Sequence, residues 1–239
     1  ATRPAHIKEM KIMNRNILHN VQREEVANAI WEGKAIMGTD GSVRDPTATY
    51  SFVISISRTD VTTNVKGGGY LPPTAKYLDP YSKRPEAAAL LAGLTWIQNL
   101  LRQFPNHTDS APPPLQIPVN EGVVHDVHRT INEQTPTYDL LSPDYDILQA
   151  IRTILKDLPI RTEISHVRGH QDRNKPWHEL DNREQINVLA DKRANEIYRT
   201  PQCQTGLFPS WIPGTRAAIF HGDQQVTKGI HSYIRDAAH

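Results

Sequence analysis

The chain has 239 residues, 38% of them apolar and 22% charged, enough for the core of one large domain or of one domain with appendages. Its 27 basic and 26 acidic side chains leave a formal charge of +1, so bulk electrostatics supplies no case for nucleic-acid binding and any such case must come from a local patch. A single cysteine, Cys203, excludes an intramolecular disulfide and a cysteine-based zinc site, and no apolar run approaches the ~20 residues of a membrane span. These features fit an intracellular protein, nucleus and cytoplasm being indistinguishable. The start at Ala1 without a Met or a visible signal peptide suggests a segment of a longer polypeptide.

Residues 1–20 mix Lys, Arg and Asn with Met and Ile and read as an arm or the end of a preceding domain. Helical spacing of Val21, Val26, Ala29 and Ile30, with Gly33 as a stop, predicts a helix that delivers the chain to a first strand. Strands follow at about 34–40, 48–57 and 60–69, three in a meander. The first ends on Asp40, where Gly41 is expected to break the run and open a turn. A carboxylate at a strand end is rigidly held, although Asp-Gly-Ser is also an ordinary turn tripeptide.

Beyond a proline-rich loop, 85–101 is the strongest helix signal, with Leu90, Leu94, Ile97 and Leu101 on one stripe. Glu86 lies one turn before Leu90 on that face, either as a partner of the helix dipole or aimed at the same end of the sheet as Asp40. A fourth strand is expected at 115–119, with Pro118 awkward inside it, followed by helices at 121–131 and 143–157. The alternating segment 160–167 predicts a fifth strand that ends in Arg168-Gly169-His170-Gln171-Asp172. A loop with Trp177 and His178 leads to a helix at 182–199 carrying Asp191. After Pro201 a hairpin turning at Gly222-Asp223 and a short helix at 229–238 read as an appendage.

Asp-Gly-Ser on a first strand, Glu86 in Arg84-Pro-Glu-Ala-Ala-Ala, His-Val-Arg-Gly-His170 after a late strand and Asn187-Val-Leu-Ala-Asp191 in the next helix stand in one order. Together, over about residues 34–199, they resemble the ribonuclease H domain, especially the type joined to retroelement reverse transcriptases. The resemblance implies an α/β fold, a five-stranded mixed sheet flanked by helices. It divides the chain into an N-terminal arm and helix (1–33), a ribonuclease H-like domain (34–200) and a C-terminal extension (201–239).

The implied activity is hydrolysis of the RNA strand of an RNA–DNA hybrid with two Mg2+ ions, Mn2+ substituting, beside a reverse transcriptase domain in the same polypeptide and with no membrane. Two such ions about 4 Å apart activate a water and stabilise the leaving 3′ oxygen, which requires acids converging from separate elements. By this resemblance Asp40 bridges both ions, Asp191 holds the nucleophile-side ion and Glu86 the leaving-group-side ion, and His170 assists product departure.

One position departs from the pattern. The family's further acid, at the end of the fourth strand, falls on Val119 or Asn120, depending on the register taken, and neither is a carboxylate. Glu121, or less well Asp126, could stand in, whereas Thr108-Asp109-Ser110 runs into prolines that forbid a helix there. If nothing replaces the acid, the chain is an impaired enzyme or an inactive module that scaffolds a reverse transcriptase or binds nucleic acid. An engineered Asp-to-Asn change at 120 would read the same way.

Overall fold

A computed structural model describes residues 17–44, 47–71, 83–106, 111–132, 143–201, 206–207, 219–221, 224–226, 230 and 234–235. In chain order the elements are β1 (Leu18–His19), α1 (Arg23–Trp31), β2 (Ile36–Arg44), β3 (Thr47–Ser55), β4 (Val65–Tyr70), α2 (Arg84–Gln103) and β5 (Leu115–Val119). These are followed by α3 (Glu121–Asn132), α4 (Tyr145–Asp157), β6 (Thr162–His166), α5 (Asn182–Arg199), β7 (Gly206–Leu207), β8 (Ile219–His221) and β9 (Gln224–Val226).

One mixed sheet runs β1-β4-β3-β2-β5-β6. β2, β3 and β4 form the antiparallel meander, while β5 lies parallel to both β2 and β6. The period-2 alternation of β2 and β3 sorts their side chains between two layers. Met37, Phe52 and Ile54 join the large core under α2 and α4, whereas Ile36 and Val53 meet Ile186 and Ala190 of α5 on the opposite face. α2 is apolar almost all round, as a helix sandwiched between a sheet and other helices must be. This strand order, with helices on both faces, is the ribonuclease H-like fold.

Three local expectations change. β2 does not stop at Asp40 but pairs with β3 as far as Arg44↔Thr47, so Gly41 lies inside the strand and not in a turn. The glycine is needed because the start of α2 presses on it: a Cβ at Gly41 would lie 2.3 Å from the Glu86 backbone nitrogen. The third strand occupies only 65–70, because the residues before it form a loop in which Asn64 Oδ1 accepts from the backbone of Ile56 and the hydroxyl of Thr62.

The sheet also gains two short strands. β1 pairs with β4 at Leu18↔Lys66 and β7 pairs with it at Tyr70↔Leu207, so part of the expected appendage covers the edge of the main sheet. The expected hairpin forms as β8 and β9, but its turn at Gly222-Asp223 and most of the 229–238 helix lie outside the described residues, as do Cys203 and Thr108-Asp109-Ser110. Pro118 does lie in β5, and the ladder between β2 and β5 is confined to Ile36↔Gln116. Among the described residues no helix is long and apolar enough to cross a membrane.

Candidate functional site

Asp40 sits on the central strand, half-buried, opposite Ser51 of β3. The Ser51 hydroxyl donates 2.8 Å to the Ala190 carbonyl, which fixes α5 against the sheet one residue before Asp191. Gly38 allows this approach, since a Cβ there would lie 2.5 Å from the Ile186 carbonyl oxygen. From the other layer α2 brings Glu86 in its first turn, next to Pro85, which suits a helix start.

α2 is anchored by Arg84. Its side chain is 6% exposed, and the guanidinium is bidentate to Asp146 at 2.8 Å for both contacts and reaches Asp144 at 3.3 Å, tying the start of α2 to the start of α4. Asp144, at φ 56° in the left-handed region, is pushed up to about 6, mainly by burial, which the Arg84 charge only partly offsets.

Two carboxylates from two further elements, Glu86 and Asp191, therefore act on Asp40. Asp40 is pushed up to about 8, first by burial, then by the charges of Asp191 and Glu86, against a smaller lowering from the Gly41 backbone. Glu86 is also raised, chiefly by burial, while Asn120 and Lys83 pull the other way. Among the described residues no three His, Cys, Asp or Glu side chains stand as a ready-made metal cage. Even so, Asp40 and Asp191 together form an under-compensated negative pair, and that chemistry fits a hard divalent cation with open positions for water and phosphate.

The structure separates Val119 from Asn120. Val119 is in the core, 2% exposed, whereas Asn120 turns its amide to Glu86, Nδ2 donating to Oε1 at 2.7 Å. Its backbone carbonyl accepts from Val123 and Val124 at the start of α3. Asp126 does not reach the site as a free acid but pairs with Lys83 at 3.1 Å, and the Glu121 side chain lies outside the described residues.

His170 also comes to this edge, its Nδ1 3.8 Å from Asp191 Oδ2. It holds φ 55°, a conformation that His visits more readily than most residues, and it opens a 3-10 turn at Gln171–Arg173. Asp191 is further steadied by Asn195, whose Nδ2 donates 3.1 Å to Asp191 Oδ1 while its Oδ1 accepts from Arg44, which itself lies 4.6 Å over the Tyr198 ring. Sequence reasoning missed Arg44 and Asn195. The one available signal was the i, i+4 spacing of Asp191 and Asn195 on one helix face. Trp177 is 41% exposed with Lys192 Nζ 5.5 Å over its ring, and His178 is exposed at the helix entrance.

No protein-family model matches the chain, and no curated protein matches it. Solved structures do. The chain is similar to an LC11-RNase H1 determined in complex with an RNA/DNA hybrid (19% identity, 68% of this chain and 95% of that one, TM-score 0.42). It is also similar to the PFV RNase H domain (19%, 68% and 93%, TM-score 0.45) and to RNase H1 from the halophilic archaeon Halobacterium salinarum NRC-1 (18%, 69% and 97%, TM-score 0.40).

Proposed function

We propose that the chain is a divalent-metal-dependent nuclease of the ribonuclease H type that cuts the RNA strand of RNA–DNA hybrids, acting inside the cell as part of a retroelement polyprotein beside a reverse transcriptase. The observation that carries this reading is the action of Glu86 and Asp191 on Asp40, three acids brought to one place by α2, α5 and the central strand β2. Asp40 and Asp191 are the residues that would hold Mg2+ or Mn2+, which supplies Lewis-acid activation of water and charge neutralisation at the phosphate. Gathering like charges costs stability in the metal-free fold, and a bound cation reverses that cost.

The side chains have distinct tasks. Asp40 and Asp191 would hold the ion, and Asn195 steadies the Asp191 carboxylate by donating to its Oδ1. His170, exposed on its loop beside Asp191, assists departure of the product. Trp177, ahead of α5, and Lys192, midway along it, offer an aromatic ring and a charge side by side, which suits a nucleic-acid backbone and an unstacked base.

A second reading is a non-cutting module that binds hybrid or scaffolds the reverse transcriptase. It is favoured by Asn120, an uncharged residue at the place next to Glu86. Incubation with a labelled hybrid and Mg2+ or Mn2+ decides: cuts in the RNA strand that vanish in Asp40→Asn support the enzyme. Binding without cuts in either metal rejects it.

A further inference from the structure

The two sides of this acidic edge are not equivalent. Asp40 has no side-chain cation in hydrogen-bond contact among the described residues, and Asp191 has only the exposed His170 ring at 3.8 Å and the neutral Asn195 amide. Glu86 is supplied differently. One of its oxygens accepts the Asn120 amide at 2.7 Å, and the charge of Lys83, three residues before it, acts on it favourably.

Lys83 is held in place on this side. Its Nζ is bonded to Asp126 Oδ2 at 3.1 Å, and its stem lies so close over Gly122 that a Cβ there would meet the Lys83 Cε at 2.6 Å. The Asn120 amide is oriented by the contact itself, because the flipped rotamer would set its oxygen against the Glu86 carboxylate. The far side of Asn120 faces Gly169 of the histidine loop, where a Cβ would be 3.9 Å from Oδ1.

We propose, on the basis of the nuclease reading above, that the Asn120 amide occupies Glu86 in place of a cation, so that this chain takes a single divalent ion, between Asp40 and Asp191, and not a pair. A cation approaching Glu86 would have to displace an amide donor, turn that amide round and meet the charge of Lys83, without gaining a new carboxylate among the described side chains. Between Asp40 and Asp191 it meets two carboxylates and, among the described residues, no lysine or arginine paired with either. Glu86 then serves as a positioning residue that ties α2 to the β5–α3 junction.

Mn2+ is the probe. Calorimetric titration of the full chain, with electron paramagnetic resonance of the bound ion, is expected to give one Mn2+ per chain and an uncoupled signal, lost in Asp40→Asn. In Asn120→Asp a second ion binds and the two signals couple magnetically. Two ions on the native chain overturn the proposal and leave the nuclease reading standing. No ion overturns both, and one ion that survives Asp40→Asn places the site elsewhere and overturns the proposal. The native count decides whether or not the Asn120→Asp variant folds.

Discussion

The Ser51 hydroxyl donates 2.8 Å to the carbonyl of Ala190, a buried contact that joins the strand facing Asp40 to the helix turn carrying Asp191. One small side chain thus sets the distance between two acids that lie 151 positions apart, as 191 minus 40 gives. Its loss removes a buried hydrogen bond to a carbonyl that keeps its own helix partner, a change worth about 0.5–1.5 kcal/mol. Ser51→Ala is expected to lose stability of that order in urea unfolding and, because α5 is freed to shift, to lose a larger share of cleavage than a neutral change at an exposed site such as Glu163.

The acidic edge predicts a pH dependence. Asp40 ionises near pH 4 in the unfolded chain but keeps its proton up to about 8 in the fold. Between those values the native state binds the additional proton, so stability falls as pH rises, by at most about 1.4 kcal/mol per pH unit. Asp40→Asn removes this slope. Melting curves in a chelating buffer should show the variant above the native chain near pH 8, with the gap closing toward pH 4. Mg2+ should raise the native midpoint and leave that of Asp40→Asn in place.

Gly41 tests how tightly α2 is seated. An added methyl would overlap the backbone at Pro85 and Glu86, 2.4 and 2.3 Å away, and neither atom belongs to a flexible side-chain end. Gly41→Ala is expected to cost about 1–3 kcal/mol by overpacking. Glu86 moves with the helix, so hybrid cleavage should fall as well. Denaturant midpoints and cleavage rates check the two parts separately.

Arg84 carries the third element. Replacing it with Met leaves Asp144 and Asp146 buried without their guanidinium, and stripping one partner from a buried ion pair costs about 3–5 kcal/mol. The penalty has a sign in pH. Asp144, no longer countered by the Arg84 charge, holds its proton in the fold and ionises in the unfolded chain, so Arg84→Met should be more damaged near pH 8 than near pH 5. Unfolding at the two pH values measures it.

The order of strands and helices was legible because apolar spacing marks each element locally: the Leu90, Leu94, Ile97 and Leu101 stripe and the alternation of 160–167 lie where helix and strand now stand. What local spacing could not reveal was contact at a distance. Gly41 read as a turn residue because the reason for a glycine, the start of α2, lies more than forty positions downstream. β1 and β7, two residues each, have no period to detect and exist through pairing with β4. At the site, the order of acids named Asp40, Glu86 and Asp191 as candidates, but the choice between Val119 and Asn120 needed the side-chain contact to Glu86.

The outer rim of β4 is shielded in two places, by Leu18 and His19 near one end and by Gly206 and Leu207 near the other. Tyr70 adds a bolt there, its hydroxyl shared by the carbonyls of Ile197 and Thr200 at the close of α5. A chain trimmed to the span between these two covers would bare a ladder of amides and carbonyls along a glycine-rich strand, and bare ladders recruit one another. The short flanking strands therefore act as insulation against self-association, and trimmed versions of this protein are expected to elute as larger assemblies than the whole chain does.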